Sequence, residues 1–156
     1  IKSGEGVEKE RNLLLALGNT LALRNDDYAA EGYYEQLVQS LDNEILERKG
    51  AIYPQADKRE FDLITDYLYA TNNYGVILYR LAKRTGDSSR NAKAIVQLQE
   101  SLRAWDSLTR NQATLVRLGG SNLAEENIKY IARPITEFEP SIYNEIPKTL
   151  TDKEKL

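Results

Sequence analysis

The side chains with the most chemical potential in this sequence are three pairs of carboxylates. Asp62 and Asp66 are four residues apart, which places them on one face of a helix, while Asp26–Asp27 and Glu125–Glu126 are adjacent pairs. Two carboxylates that converge in a dry pocket can act as general acid and general base. The pattern indicates no such pocket, so we expect these groups to lie on solvated faces.

Histidine and cysteine are both absent from the chain. The usual general base near neutral pH, the commonest transition-metal ligand and all thiol chemistry are therefore missing. The GDSSRN stretch also lacks the acidic residues that a calcium loop needs at alternating positions. We therefore predict no catalytic residue, no cofactor and no metal site, and an enzyme is the least favoured functional class.

The totals describe an ordinary globular chain. Its 156 residues suit one domain with a sizeable core, and 41% are hydrophobic and 29% charged. The formal net charge is −3 with dispersed basic residues, which argues against nucleic-acid binding. No apolar run reaches the roughly 20 residues of a membrane span. Because the chain contains no Met, even at its first position, we expect a fragment or a processed form of a longer protein.

Four segments with helical apolar spacing each end on basic residues and then Asn or Gly, a pattern typical of helix C-termini. The four ends are Arg24-Asn25, Arg48-Lys49-Gly50, Lys83-Arg84 with Gly86, and Arg110-Asn111. Asp27, Asp57 and Asn91 are the predicted N-caps of the second, third and fourth helices, and residues 85–90 form a polar turn. The predicted helices cover residues 7–24, 28–49, 57–84 and 91–108.

The third and fourth helices form the hairpin around which the chain is organised. Gly75 and Ala94 are small residues where the two helices must approach closely, and large apolar residues continue the seam up to Trp105. In the first helix the predicted apolar stripe is Leu14, Leu17 and Leu21, with Leu13 beside it. A hairpin of this kind cannot bury its apolar face alone, so we expect further helices to stack on it.

The pattern weakens after Asn111, where the spacing up to Ile131 fits either one bent helix or two short ones. From Arg133 onward prolines exclude a long helix, although several large apolar residues remain. We therefore predict a helical domain over residues 1–132 and an extended, Pro-containing segment over residues 133–156 that caps the helical face. The prolines are Pro134, Pro140 and Pro147, and the apolar residues are Ile135, Phe138, Ile142, Tyr143 and Ile146.

The small and large residues of the hairpins resemble the tetratricopeptide repeat (TPR) family. In the first hairpin the matching residues are Leu14, Leu17, Gly18, Leu21, Ala30 and Tyr34. In the second hairpin Asn73-Tyr74-Gly75 is similar to the Asn-Leu-Gly of the repeat, but about seven extra residues fall in the predicted turn before Ala94. The resemblance implies an all-α fold of antiparallel helical hairpins stacked as an array, and the four helix ends with the segment after them predict about five helices.

A narrower resemblance rests on several short sequence stretches along the chain. NNYGVILYRLAKRTGD, RAWDSLTRN, GGSNLA and the Pro-containing end are similar to the C-terminal part of large repeat proteins from bacteria with periplasmic flagella. Members of that group are scaffolds of the flagellar collar. The resemblance implies a periplasmic location and, as partners, components of the flagellar collar or the stator.

The repeat resemblance also implies a concave groove that contacts a partner. The residues expected to face it are Asn19, Leu23, Tyr69, Asn72, Asn73, Tyr79 and Arg80. Asn19 and Asn73 lie at offsets that some members use to clamp a peptide's C-terminal carboxylate, but Leu15 occupies the place of the required basic residue. The alternative is that Asn73 belongs to the ordinary packing pattern of the repeat.

These observations favour a non-enzymatic protein–protein interaction scaffold. The alternative function is a binding module for a short peptide or a small apolar ligand, held in a Tyr-rich groove. Ten tyrosines against two phenylalanines support an interface of either kind, because tyrosine combines a large apolar area with a polar tip.

Overall fold

The computed structural model describes residues 4–48, 58–108, 122–132 and 140–144. Within these ranges every regular element is an α-helix, so the all-α prediction is confirmed. The five helices are α1 (Gly4–Leu23), α2 (Asp27–Arg48), α3 (Lys58–Thr85), α4 (Ser88–Leu108) and α5 (Leu123–Ala132). The first four agree with the predicted ranges to within three residues at each end.

The turn between α1 and α2 corrects the predicted N-cap. Asn25 adopts a left-handed backbone conformation with φ of 61°, and the N–H of Ala30 donates to the carbonyl of Asp26 at 3.0 Å. Asp26 therefore occupies the N-cap position, and Asp27 is already the first residue of α2. The prediction of Asp27 as the cap was wrong because α2 begins one residue earlier than predicted, at Asp27 instead of Tyr28.

The turn between α3 and α4 is shorter than predicted. α3 continues to Thr85, Gly86 takes a φ of 71°, and the carboxylate of Asp87 accepts the N–H groups of Ser89 and Arg90 at 3.0 and 3.2 Å. Asp87, rather than Asn91, is thus the N-cap. The prediction of a polar turn over residues 85–90 was wrong, because most of the extra residues lengthen the two helices.

The predicted fifth segment contains α5, which is preceded by Asn122. The side chain of Asn122 accepts the N–H of Glu125 at 3.3 Å, which satisfies one of the free donors of the first turn. Residues 109–121 lie outside the described part of the chain, so the alternatives of one bent helix or two short ones stay open. Residues 49–57, which contain the predicted helix start at Asp57, are also outside it.

Consecutive helices among the first four pack antiparallel. The guanidinium of Arg11 in α1 reaches Glu44 near the end of α2 at 2.9 Å, and Asp27 at the start of α2 reaches Arg84 near the end of α3 at 3.1 Å. In the hairpin of α3 and α4, Gly75 lies against Ala94 and Leu98. α5 packs on α3 and α4. Among the described residues, no helix is long and apolar enough to cross a membrane.

The buried side of α1 differs from the predicted stripe. Leu15, Asn19 and Ala22 are buried, whereas Leu13 and Leu17 are 59% and 36% exposed. Leu14 and Leu21 are partly buried against the core. The predicted stripe was wrong for Leu13 and Leu17 because α2 and α3 together cover only one side of α1.

Candidate functional site

Four of the residues that the sequence analysis assigned to the groove come together in the fold. Asn72 and Asn73 lie in the middle of α3, Asn19 reaches them from α1, and Tyr69 lies one turn before them. Asn127 of α5 joins them from the other side. We call the four side chains Asn19, Asn72, Asn73 and Asn127 the amide cluster; all four residues are buried.

The amide cluster is a continuous network of hydrogen bonds. Asn73 Nδ2 donates to Asn19 Oδ1 at 2.9 Å, and Asn72 Nδ2 donates to Asn73 Oδ1 at 3.2 Å. Asn127 Nδ2 donates to Asn72 Oδ1 at 2.9 Å. The hydroxyl of Tyr34 donates to Asn19 Oδ1 at 2.6 Å. Each amide therefore orients its neighbour, because buried polar groups cost free energy when they lack partners.

The network ends on the main chain of residues 140–144, which we call the clamped segment. Asn73 makes two hydrogen bonds with Tyr143: its Nδ2 donates to the carbonyl and its Oδ1 accepts the N–H, both at 2.7 Å. Asn127 holds Ser141 in the same way, with both bonds at 2.8 Å. Asn72 Nδ2 adds a bond to the carbonyl of Ser141 at 3.0 Å. The cluster thus binds residues i and i+2, which face the same way in an extended chain.

Side-chain contacts complete the grip on the clamped segment. The rings of Tyr69 and Tyr143 stack with centroids 4.2 Å apart and planes 15° from parallel. The hydroxyl of Tyr143 accepts the N–H of Leu123, the first residue of α5, at 3.4 Å. Pro140 and Tyr143 are buried and Ile142 packs partly buried against the core. Ser141 and Asn144 are exposed.

The chemistry of this site is recognition by neutral hydrogen-bonding groups. Each Asn side chain offers two N–H donors and one carbonyl oxygen, so it can match both polar groups of a peptide unit. Burial raises the pKa of Tyr34 above its usual range, and the neutral hydroxyl donates to Asn19. Asn73 is fully buried, and it binds the main-chain groups of Tyr143.

The remaining predicted contact residues lie elsewhere. Tyr79 is buried, with the ammonium of Lys83 5.5 Å from its ring centroid. Arg80 donates to the carbonyl of Ala22 at 3.3 Å and lies 3.7 Å from the carboxylate of Asp27. Arg80 therefore links α3 to α1 and α2, whereas the described contact of Tyr79 is with Lys83 of its own helix. Leu23 is 61% exposed at the end of α1.

The prediction that the carboxylate pairs lie on solvated faces is wrong for Asp27, which is buried because α2 and α3 pack together around it. Asp26 is exposed, Asp27 is buried beside Arg84, and Glu125 pairs with Lys129 at 3.2 Å. Burial, followed by the charge of Asp62, raises the pKa of Asp66 to about 7. Across the described ranges no group of three or more carboxylates could hold a metal ion.

Four residues of the site were not among the predicted contact residues: Asn127, Ser141, Tyr143 and Tyr34. Asn127 lies between Ala124 and Ile131 on the packed side of α5, and a polar amide at such a position is a usable signal. Ser141 has no local signal, because Asn72 and Asn127 bind its main-chain groups, which nearly every residue type carries.

Comparison of the chain with protein-family models, with curated proteins and with solved structures finds no match. Function is therefore inferred from the geometry of the site.

Proposed function

We propose that this chain is a non-enzymatic protein-interaction module that holds an extended polypeptide segment by its main chain. The observation that carries the proposal is the pair of two-bond grips, from Asn73 to Tyr143 and from Asn127 to Ser141. The clamped segment of this chain occupies the groove as a peptide partner would.

Burial makes such main-chain recognition energetically useful. A typical hydrogen bond contributes about 1 kcal/mol net, whereas a buried peptide group without a partner costs about 1–3 kcal/mol. The amide network holds Asn73 and Asn127 in position before a segment binds, so binding costs little side-chain conformational entropy. A scaffold with these properties binds by complementary shape and hydrogen bonding, and it needs no reacting group.

The setting we propose is a tetratricopeptide-like scaffold of a periplasmic flagellar collar, with collar or stator components as partners. Support for this setting is the resemblance in sequence wording described above, together with the all-α fold of antiparallel hairpins. The alternative of a small apolar ligand is less favoured, because the ring of Tyr143 already covers the face of Tyr69 within the groove.

A second surface is a candidate because the groove is occupied. Leu13 and Leu17 are one helical turn apart on α1, and both are exposed large hydrophobic residues. A partner that docked there would leave the clamped segment in place as a permanent cap. The groove and the leucine surface share no residue, so substitutions can test each one separately.

A crosslinking pull-down from the cell envelope of the source organism tests the proposal. The wild-type chain is compared with Ser141→Pro, which removes the N–H that Asn127 accepts, and with Leu13→Ser/Leu17→Ser on α1. Groove binding predicts that Ser141→Pro increases recovery of specific components and the leucine variant does not change it. Loss of recovery only in the leucine variant moves the interface to α1. Recovery of nothing specific by any variant contradicts the scaffold function.

A further inference from the structure

Resting on the proposed function, we infer that the groove selects partner segments carrying an apolar residue followed by an aromatic one, and that the clamped segment is a built-in competitor for them. The expected occupant is an extended peptide of a partner protein. Its aromatic residue lies where Tyr143 lies, and its apolar residue lies where Ile142 lies. The main-chain grips set the register, and the side-chain contacts set the selectivity.

The register is fixed because the two grips are two residues apart. Asn73 and Asn127 each require one N–H and one carbonyl from the same residue, and those residues are Tyr143 and Ser141. A shift of the bound segment by one residue would turn its main-chain groups away from both amides. A bound peptide therefore places one defined side chain against Tyr69.

The aromatic preference follows from the surroundings of Tyr143. Its ring is buried and stacked on Tyr69 at 4.2 Å, and offset aromatic stacking adds favourable energy beyond that of the buried area. Its hydroxyl lies 3.4 Å from the N–H of Leu123, where the first turn of α5 has a free donor. That bond is long, so by itself it favours tyrosine over phenylalanine only slightly.

The neighbouring positions differ in what they demand. Ile142 packs partly buried against the core, so an apolar residue is favoured before the aromatic one. Ser141 is exposed, and its main-chain N–H and carbonyl bind the amide cluster. Proline is excluded at this position, because it lacks the N–H that Asn127 accepts.

Competition arises because the clamped segment belongs to the same chain. It begins eight positions after Ala132, the last residue of α5, so it is present at the high effective concentration of a short intramolecular connection. A partner peptide binds only the fraction of molecules whose groove is open, and its apparent affinity is reduced by that fraction. A partner peptide must therefore bind the groove tightly enough to displace the clamped segment.

Fluorescence anisotropy with labelled peptides tests this inference on the full chain. The probes are GPSIYNG, GPSIFNG and GPSIANG, and the proteins are wild type, Ser141→Pro, and Ser141→Ala as the matched control that keeps the N–H. We expect GPSIYNG to bind Ser141→Pro at least about tenfold more tightly than wild type or Ser141→Ala. We expect GPSIFNG to bind within about threefold of GPSIYNG, and GPSIANG to bind about tenfold or more weakly.

The outcomes separate the inference from the proposed function. Equal affinity for GPSIYNG and GPSIANG overturns the aromatic selectivity and leaves main-chain binding intact. Equal affinity of wild type and Ser141→Pro for GPSIYNG overturns the built-in competition. Absence of binding to a Ser141→Pro chain that is folded by circular dichroism overturns both the inference and groove binding. If Ser141→Pro does not fold, Tyr143→Ala in the full chain replaces it under the same criteria.

Discussion

Asn73 and Tyr143, 70 residues apart in sequence, are joined by two hydrogen bonds of 2.7 Å that pair a side-chain amide with the main chain of one residue. The same Asn73 donates to Asn19 of α1. One buried side chain therefore connects the first helix, the third helix and the clamped segment. Its removal affects all three at once.

Replacing Asn73 with Ala should lower the free energy of unfolding by about 2–4 kcal/mol, because it leaves the N–H and carbonyl of Tyr143 and the amide oxygen of Asn19 with fewer partners. Urea denaturation measures this change. Asn12→Ala, at an exposed position of α1, is the control and should stay within about 0.5 kcal/mol of wild type. Equal effects of the two substitutions would contradict the role of Asn73.

Gly75 tests the closeness of α3 and α4. A Cβ atom at this position would lie 2.8 Å from Cγ of Leu98 and 3.1 Å from the carbonyl oxygen of Ala94. Gly75→Ala should therefore cost about 1–3 kcal/mol through overpacking, and Gly75→Leu should cost more. Thermal unfolding of the variants measures the loss.

Gly32 is the matched control for that experiment. It also lies inside a helix, α2, but a Cβ atom there would meet nothing within 4 Å. Gly32→Ala should stabilise the protein by about 0.5–1 kcal/mol, since alanine loses less backbone entropy in a helix. If Gly75→Ala were as harmless as Gly32→Ala, the register of α3 against α4 would be incorrect.

Asp66 makes a defined contribution to the pH dependence of stability. Its pKa of about 7 in the folded chain lies above the ordinary 3.8, so the folded state keeps a proton that the unfolded state releases. This contribution is fully present below about pH 4 and is lost as the pH rises through 7. The stability gained by Asp66→Asn over wild type should thus grow across this window, to about 2–4 kcal/mol.

Urea denaturation of both proteins at several pH values measures that difference. Asp62→Asn is the informative companion, because it removes the neighbouring charge that raises the pKa of Asp66 and should shift the transition to lower pH. A difference between Asp66→Asn and wild type that does not change with pH would contradict the raised pKa.

Truncation after Ala132 removes the clamped segment altogether. It should lower the melting temperature by several degrees, because it uncovers Tyr69 and leaves Asn73 and Asn127 without their main-chain partners. Differential scanning calorimetry of the truncated and full chains measures the shift. An unchanged melting temperature would mean that residues 133–156 act as a linker.

Helix content was predictable from sequence because the apolar period and the basic, Gly- or Asn-containing helix ends are local signals. The caps at Asp26 and Asp87 were missed because each turn contains more than one residue that can cap a helix, and the sequence does not say which of them precedes the first helical residue. Leu13 and Leu17 were placed in the core because apolar spacing does not say which side of a helix its neighbours cover.

The site was only partly predictable for a different reason. The repeat resemblance assigned Asn72 and Asn73 to a groove, and the segment after Arg133 was predicted to cap the helical face, but nothing local paired these two amides with Ser141 and Tyr143. Contacts between distant segments depend on how the whole array packs. The packed-side amide at Asn127 is the one signal that could have extended the prediction.

The most direct test of main-chain recognition is amide hydrogen exchange, followed residue by residue by NMR in the full chain. We predict that the N–H groups of Ser141 and Tyr143 exchange at least about tenfold more slowly than in an unstructured peptide, since both donate to buried amides. Asn73→Ala should remove the protection of Tyr143. Exchange of the Tyr143 N–H at the unstructured rate, with no change in Asn73→Ala, would contradict the account.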